Sequence, residues 1–537
     1  MQSIKKSVVM FLFLCLILSA HFVLAGGTKE EAPKPGAAGV KAGGVLRVAM
    51  IDNPPTLDQH AVTSDLSTTI AQHWSEGLYT YNAKYEPGPM LVESDEVQDN
   101  GKLVIMQLRK GVPFHNGKEM TSEDVVASLR RWGKDGVRGP VVFSNVDRVE
   151  ADGKYTVKIY FNKVFSAWRS FFACINGGPT IYPKEIVENA GKAPIPQTGY
   201  IGTGPYQFVE WKEGRYILLK RFKDYAARSE APDGYAGKRE AFYDEIRFIP
   251  VPDSQTRVNG VKAGDYDYAM NIPGDLFEGL KSDPGVKVAL NQGPVFGVSF
   301  VNSKAGILSP NGPMKDPWKL RRALLAAIDM EPVLRASAGP EDLWRLTGSV
   351  VPKGMFFYSE AGIENYNQHN IEKAKSLAKE AGYNGEKIVY MSTSSYDYIY
   401  NASVVVAEQL KKAGFNIDFQ VYDWATLVSR RVQPNLWDLF QTGHGFVPDP
   451  SIYTFMSVSY PGWWTTDEKM KTAEEFNTAV DQQKRKAAWD KIQALVYEQV
   501  PIIMYGHQYS YDIYSPKVEG IKESQLIWPK LWGLSFK

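Results

Sequence analysis

The chain has 537 residues, of which 44% are hydrophobic and 23% are charged, and its 61 basic and 60 acidic residues nearly cancel. Because general nucleic-acid and membrane-surface binders carry an excess of positive charge, this balance argues against both classes. Single cores stop growing near ~250–300 residues, so the length predicts at least two lobes. We therefore expect a soluble globular protein whose partner binds in a pocket.

The N-terminal segment has the pattern of a secretory signal peptide. Lys5 and Lys6 precede an uninterrupted apolar run over residues 8–18. Residues 23–25 (VLA) then offer the small or modest side chains that signal peptidase needs. We predict cleavage after Ala25.

An uncleaved membrane anchor is the alternative interpretation of this segment. Ser19 and His21 interrupt the apolar run, which is already shorter than the ~20 residues of a spanning helix. Cys15 lies inside the run and Gly26 follows the predicted cut, so no cysteine is placed for lipid attachment. We expect residues 1–25 to be removed, leaving a mature protein in the periplasm that is not lipidated.

The composition changes after the predicted cut. Residues 26–44 are rich in Gly, Ala, Pro and charge and cannot bury apolar surface, which predicts a flexible linker. Residues 43–50 (GGVLRVAM) predict the first strand. Cys174 is the only cysteine of the mature region, so we expect a buried, inert thiol rather than a disulfide.

Residues 108–132 (LRKGVPFHNGKEMTSEDVVASLRRW) predict a strand end, a tight turn and a capped helix. Asn116 and Gly117 form a dipeptide that tolerates positive φ, and Thr121 stands three residues before Asp124 as an N-cap pair. A helix should therefore begin near Thr121. Its apolar face should comprise Val125, Leu129 and Trp132.

Later segments continue a mixed α/β pattern without any internal repeat. Strands are predicted around residues 155–161 and 216–220 and near 295–301. Residues 316–333 and 371–383 predict helices, and residues 407–431 predict a helix, a strand and another helix.

Four of these runs, in this order, resemble the peptide/nickel family (family 5) of extracytoplasmic solute-binding proteins, which serve ABC importers. The runs are residues 108–132, 316–333, 371–383 and 407–431. The resemblance covers nearly all of residues 45–537. It implies an α/β, two-lobed, periplasmic-binding-protein-like (Venus flytrap) fold with an inserted subdomain in the first lobe.

The resemblance also implies a division of the mature chain. The two lobes should be joined by two chain crossings, and their closure should bury a ligand and exclude water around it. The implied pieces are a discontinuous first lobe (45–75, 196–290 and 505–537), an inserted subdomain (76–195) and a second lobe (291–504).

Motifs of catalysis are missing from the sequence. The seven histidines include no HExxH pair, and there is neither a G-x-S-x-G elbow nor a phosphate-binding loop. We therefore expect no enzyme, no cofactor and no metal site. A glycosidase carboxylate pair is defined by its separation in space, so a secreted hydrolase stays the alternative of a different class.

Residues 437–451 (WDLFQTGHGFVPDPS) resemble the segment that crosses the pocket in peptide-binding members. Matching Asp449 to the family's acidic residue before proline places Phe446 where peptide binders commonly have an aspartate for the peptide ammonium. It also places Gly443 at a frequent tryptophan position. Asp449 could supply the carboxylate instead, although its family counterpart is usually structural, and His444 could hydrogen-bond the ligand.

Other candidate binding residues lie on both sides of the expected pocket. Residues 60–64 resemble a first-lobe segment whose backbone meets an extended ligand, which points to Ala61, Val62 and Thr63. Tyr396 follows a predicted strand end, where open α/β sheets meet their ligands. Trp424 is a further candidate, since aromatic faces line many ligand pockets.

The resemblance implies a periplasmic solute-binding protein of an ABC-type importer. It should act as a monomer, capture a peptide or peptide-like small solute between its lobes and deliver it to an inner-membrane permease, with no nucleic-acid partner. The altered position 446 keeps an oligosaccharide or sugar-conjugated ligand as an alternative. A chaperone-like binder of unfolded chains is a further alternative of a different class.

Overall fold

The computed structural model describes residues 42–521 and 526–537. The predicted signal peptide, its cleavage site, Cys15 and nearly all of the predicted linker lie outside these residues. Among the residues that are described, no helix is both long enough and apolar enough to cross a membrane.

The described chain alternates strands and helices throughout, which confirms the predicted α/β class. The strands are β1 (Val45–Met50), β2 (Tyr79–Tyr81), β3 (Pro87–Pro89), β4 (Val92–Gln98), β5 (Leu103–Leu108), β6 (Val146–Ala151), β7 (Thr156–Phe161), β8 (Tyr206–Lys212), β9 (Tyr216–Arg221), β10 (Glu245–Pro250), β11 (Tyr268–Ala269), β12 (Lys287–Val301), β13 (Trp344–Arg345), β14 (Ile388–Thr393), β15 (Ile417–Tyr422), β16 (Leu439–Gly445), β17 (Ile502–Met504), β18 (His507–Tyr514), β19 (Val518–Glu519) and β20 (Ser535–Phe536). The α-helices are α1 (Asp65–Ala71), α2 (Ser122–Asp135), α3 (Gly139–Phe143), α4 (Trp168–Ala173), α5 (Lys184–Ala190), α6 (Ser254–Ala263), α7 (Phe277–Lys281), α8 (Pro317–Ala327), α9 (Met330–Ala338), α10 (Ile371–Ala381), α11 (Asp397–Lys412), α12 (Trp424–Arg431), α13 (Asp467–Thr478) and α14 (Gln482–Gln499).

A 12-stranded mixed sheet runs through most of the described chain, in the order β15-β14-β16-β12-β18-β11-β1-β10-β9-β8 with β13 and β17 attached to β18 and β12. At one end, β14 pairs in parallel with both β15 and β16. Further along, β1 pairs in parallel with both β10 and β11. A separate antiparallel sheet, β4-β5-β7-β6, is formed entirely within residues 92–161.

Strand β12 joins the two parts of the large sheet. Its first part, residues 287–291, pairs with β18, and the register shifts between Asn291 and Val295. Beyond the shift, Val295 to Val301 pair with β16, and part of the same stretch pairs with β17. The predicted lobe boundary at residue 290/291 therefore falls inside a strand, and the division into lobes stays a prediction.

The predicted start and apolar face of helix α2 and the predicted buried thiol of Cys174 are confirmed. Helix α2 begins after Thr121, whose N–H donates to the Asp124 carboxylate at 2.9 Å. Trp132 on the apolar face of this helix is fully buried. Cys174 is a buried free thiol whose Sγ lies 3.2 Å from the carbonyl oxygen of Asn176.

Two predicted elements differ from those observed. Strand β12 begins at Lys287, eight residues before the predicted start, because its first half pairs with the distant β18. The helix predicted over residues 316–333 is broken in two at Ile328, whose backbone is extended (ψ 131°). Asp329 then caps the second helix by accepting from the N–H of Glu331.

Candidate ligand-binding cleft

A cavity of about 670 Å³ lies between two parts of the described chain, which we call the first and second walls. The cavity is lined by side chains from residues 137–141 and 165–171 of the first wall and from residues 428–432 and 451–477 of the second wall. The first wall also includes residues 58–65 and 172–177, and the second wall also includes residues 396–398, 424–427 and 443–450, which flank the cavity without lining it. The walls touch beside the cavity, where the N–H of Ser166 donates to the carbonyl oxygen of Asn477 at 2.8 Å. This geometry suits a solute that is enclosed from two sides.

The first wall is anchored by a buried polar network. The Asp58 carboxylate accepts from the Arg131 guanidinium at 2.7 Å, and Nε2 of His60 lies 2.8 Å from the carbonyl oxygen of Thr180. Burial alone would raise the pKa of Asp58, but Arg131 outweighs it and holds that pKa below its usual value. The network fixes the chain just before the predicted contact segment.

The predicted contact residues Ala61, Val62 and Thr63 form an edge of the first wall. Ala61 and Val62 are half-buried and Thr63 is exposed. The carbonyl oxygen of Thr63 accepts from Nδ2 of Asn176 at 3.0 Å, which ties this edge to the rest of the wall. Asn176 also holds Arg138, whose Nε donates to the Asn176 carbonyl oxygen at 2.8 Å.

Aromatic side chains stand on the second wall where β14 ends. Tyr396, at the N-cap position of α11, is 43% exposed and meets the half-buried Trp424 edge-on, with ring centroids 5.3 Å apart. Tyr396 therefore follows a strand end as the sequence predicted. The Tyr398 ring occupies the space beside Gly443, because a Cβ there would lie 2.7 Å from the hydroxyl oxygen of Tyr398.

His444, on β16, lies among aromatic rings of the second wall. Its Nε2 is 2.9 Å from Oγ1 of Thr454, and the rings of Phe300 and Tyr460 are 5.4 and 6.2 Å away. Burial, and then the charge of Arg431, lowers the pKa of His444 to about 4. The imidazole is therefore neutral at pH 7.

Phe446 lies in the core rather than in open space. Its side chain is 3% exposed, its N–H donates to the carbonyl oxygen of Pro294 at 2.8 Å, and its ring meets that of Tyr85 edge-on at 4.9 Å. The position where peptide binders commonly have an aspartate is thus filled by an apolar contact, with no polar group offered to a ligand.

The carboxylate of Asp449, a predicted candidate for binding the ligand, is occupied by partners inside the protein. Both of its carboxylate oxygens accept from Arg485, at 2.9 and 3.1 Å, and the Ser451 hydroxyl donates to it at 2.7 Å. The pair is almost fully buried. Burial alone would raise the pKa of Asp449, but Arg485 holds it below its usual value. Asp449 is a structural group.

The sequence analysis did not single out Arg431, the last residue of α12. Its guanidinium lies over the rings of Tyr460, Trp424 and Phe440, at 5.3 to 5.7 Å from their centroids. Within residues 42–521 and 526–537 it forms no ion pair, and its Nε is buried without a hydrogen-bond partner. Arg430 and Arg431 are adjacent at the end of one helix, and nothing in the sequence distinguishes Arg431 from its neighbour.

Metal chemistry has no candidate site in the described residues, because no three His, Cys, Asp or Glu side chains there could hold an ion together. The two walls offer hydrogen-bonding groups, aromatic faces and positive charge at and beside the cavity. These groups can bind and orient a solute.

Comparison with known sequences adds a family match. Residues 86–465 match the model of "Bacterial extracellular solute-binding proteins, family 5 Middle". The chain is 30% identical over 519 residues to the "Probable peptide ABC transporter periplasmic-binding protein y4tO" of Sinorhizobium fredii, covering 92% of this chain and 94% of that protein. It is 25% identical over 550 residues to the oligopeptide-binding protein AppA of Bacillus subtilis, covering 96% of each.

Solved structures show the same fold. AppA of Bacillus subtilis in complex with a nonapeptide matches with a TM-score of 0.72 and 22% identity, over 93% of this chain and 100% of that chain. The binding protein AgaA of A. tumefaciens R10, in complex with agropinic acid, matches with a TM-score of 0.75 and 23% identity, over 92% of this chain and 99% of that chain. These likenesses confirm the predicted fold class.

Proposed function

The chain belongs to family 5 of the bacterial extracellular solute-binding proteins, and on that premise we propose that it binds a peptide or peptide-like solute and passes it to the permease of an ABC importer. The observation that carries this proposal is the cavity between the two walls, which has room for a small solute. Closure of the walls around a ligand would strengthen polar contacts by excluding water.

Binding without chemistry is the activity that we propose. The relatives are binding proteins of transporters, and the cleft combines a neutral histidine with aromatic faces and cations. A peptide ligand is supported by the names of y4tO and AppA. Phe446 supports a ligand whose ammonium group, if it has one, is held elsewhere than at this position.

The proposed binding residues come from both walls. Backbone groups of Ala61, Val62 and Thr63 would meet the solute on the first wall, while Tyr396, Trp424 and His444 would meet it on the second. We add Arg138 and Arg431, since both line the cavity, and leave out Asp449 because Arg485 occupies its carboxylate. Phe446 would support the site from behind, through its contact with Tyr85.

We also propose that the protein works in the periplasm as a monomer after cleavage behind Ala25, and that it carries no lipid. The positive and apolar parts of the N-terminal segment support export. Intact mass measurement of the protein recovered from the periplasm tests this proposal. We expect the mass of residues 26–537 without an acyl chain, and an added lipid mass would contradict it.

Thermal unfolding of the mature protein tests the ligand class, because a ligand that binds the native state raises the unfolding midpoint. The panel should contain free-amine peptides, N-acetylated peptides, oligosaccharides and sugar-conjugated amino acids. We expect peptides to raise the midpoint. A shift produced only by sugars or conjugates would replace the peptide by one of those ligands, and turnover of a bound compound would favour the secreted hydrolase.

A further inference from the structure

The cavity between the walls is lined by three cationic side chains, Arg138, Arg431 and Lys469. In the described ranges none of the three has a carboxylate within ion-pair distance. An unpaired cation is expensive to hold away from water. Three of them around one cavity need an explanation.

Arg431 is the clearest of the three. A guanidinium carries five N–H donors in a rigid fork, and that fork matches the two oxygens of a carboxylate or phosphate. The guanidinium carbon lies 5.3 to 5.7 Å from the ring centroids of Trp424, Phe440 and Tyr460, and none of these rings offers an anionic acceptor. Its Nε is buried and unpartnered. In the described residues the terminal nitrogens of Arg431 have no hydrogen-bond partner either, and because Arg431 lines the cavity, they are the donors left for an anionic acceptor.

Arg138 and Lys469 add charge from the two opposite sides. Arg138 donates hydrogen bonds from Nε and one terminal nitrogen to Asn176, which orient the guanidinium without neutralising its charge. The Lys469 amine donates to the carbonyl oxygen of Met456 at 2.7 Å, which is likewise a neutral partner. Burial lowers the pKa of Lys469 to about 8, so this amine is mostly charged at pH 7.

Nearby acidic groups do not cancel this charge. Glu474 lines the same cavity, but Lys163 binds its carboxylate at 2.8 Å. Asp65 of the first wall accepts from Nε1 of Trp528 at 2.8 Å and is not within ion-pair distance of Arg138, although the two charges attract each other. The cavity therefore keeps an excess of positive charge.

From this arrangement we infer that the cavity receives the negatively charged part of the solute, with Arg431 as the residue that grips it, so that the protein selects net-anionic peptides or peptide-like acids. This inference rests on the proposed function and specifies its substrate class. An anion bound there would supply the acceptors that Arg431 lacks and would offset the cost of holding three cations together.

The test compares binding of three peptides of equal length by titration calorimetry: tetra-alanine, Ala-Glu-Glu-Ala and Ala-Lys-Lys-Ala. We expect the acidic peptide to bind about tenfold or more tightly than tetra-alanine and the basic peptide to bind least, since charge-assisted hydrogen bonds are worth about a factor of ten each. Arg431→Met should remove most of the preference, and Arg431→Lys should restore part of it.

The matched control is Arg430→Met, which removes the same charge from the same helix. The Arg430 guanidinium lies over Tyr422 and does not line the cavity. It should leave the preference for the acidic peptide unchanged. An equal loss in Arg430→Met would mean that overall charge, rather than contact with Arg431, sets the preference, and would overturn the inference.

Other outcomes separate the inference from the proposed function. If tetra-alanine binds as tightly as the acidic peptide, or the basic peptide binds best, the protein is still a peptide binder but the inference is wrong. If no peptide of any charge binds while a sugar-conjugated acid does, the peptide proposal fails and the anionic preference stands only if Arg431→Met weakens that binding. If nothing binds, both are wrong.

Discussion

Two arginines, Arg485 of helix α14 and Arg431 of the second wall, lie in opposite situations. Arg485 is almost fully buried, and Asp449 occupies its guanidinium from one side with both carboxylate oxygens. Arg431 is half-buried against aromatic rings and has no anionic partner in the described chain. The comparison shows that an arginine paired with a carboxylate inside the protein stabilises the fold, whereas an arginine without such a partner can bind a solute.

The largest effect should follow from Arg485→Met. Removing the cation would leave the Asp449 carboxylate buried without compensation, which costs about 3–5 kcal/mol of the free energy of unfolding. Chemical denaturation measures this loss. The matched control is Arg335→Met, which breaks an exposed pair with Glu331 and should change the free energy by about 0.5 kcal/mol or less. Equal losses in both variants would contradict the structural role of Arg485.

Phe446→Asp should be the next most damaging change. The substitution removes the ring that packs on Tyr85 and buries a carboxylate without a cation, at a cost of about 3 kcal/mol. Phe356→Asp, at a 37% exposed phenylalanine, is the control and should be nearly neutral. A stable Phe446→Asp protein that gained affinity for free-amine peptides would show that this position can open to the solute.

The fold and the candidate site could be predicted from the sequence only in part. Helix α2 followed from residues close together in the chain, Thr121 and Asp124. The early start of β12 did not, because its partner β18 lies more than 200 residues away. For the site, the alignment gave the identity of residue 446 but not its burial, and the partner of Asp449 is 36 residues distant in sequence. Arg430 and Arg431 look alike until the rings around each are known.

Acidification should test the environment of His444, which lies near Arg431. Its pKa is lowered from 6.5 to about 4 in the folded protein, so the unfolded chain binds the extra proton first as pH falls. The contribution of the neutral His444 to the free energy of unfolding is fully present above about pH 6.5. It is lost as the pH falls towards 4, by on the order of 1 kcal/mol per pH unit. His444→Gln should make the pH dependence of the unfolding midpoint less steep by the share of one histidine. The rest of the slope should remain, because burial also lowers the pKa of four other histidines, His60, His73, His115 and His507.

The smallest effect on stability should come from Arg431→Met in the absence of ligand. Because this guanidinium has no internal anion to lose, the free energy of unfolding should change by about 0.5 kcal/mol or less, measured by the same denaturation. The variant also removes a charge that lowers the pKa of His444, so that pKa should rise. A loss of stability as large as that of Arg485→Met would erase the distinction between the two arginines.

The strand order of the large sheet bears on how the protein is made. β18, at residues 507–514, lies between β12 and β11, so one of the innermost strands follows all the other strands of that sheet in the chain. A nascent chain that lacks it cannot complete the sheet, whatever its earlier segments have formed, and long-range pairings of this kind are slow. Completion of the large sheet therefore requires β18 to pair with strands more than 200 residues away from it in sequence.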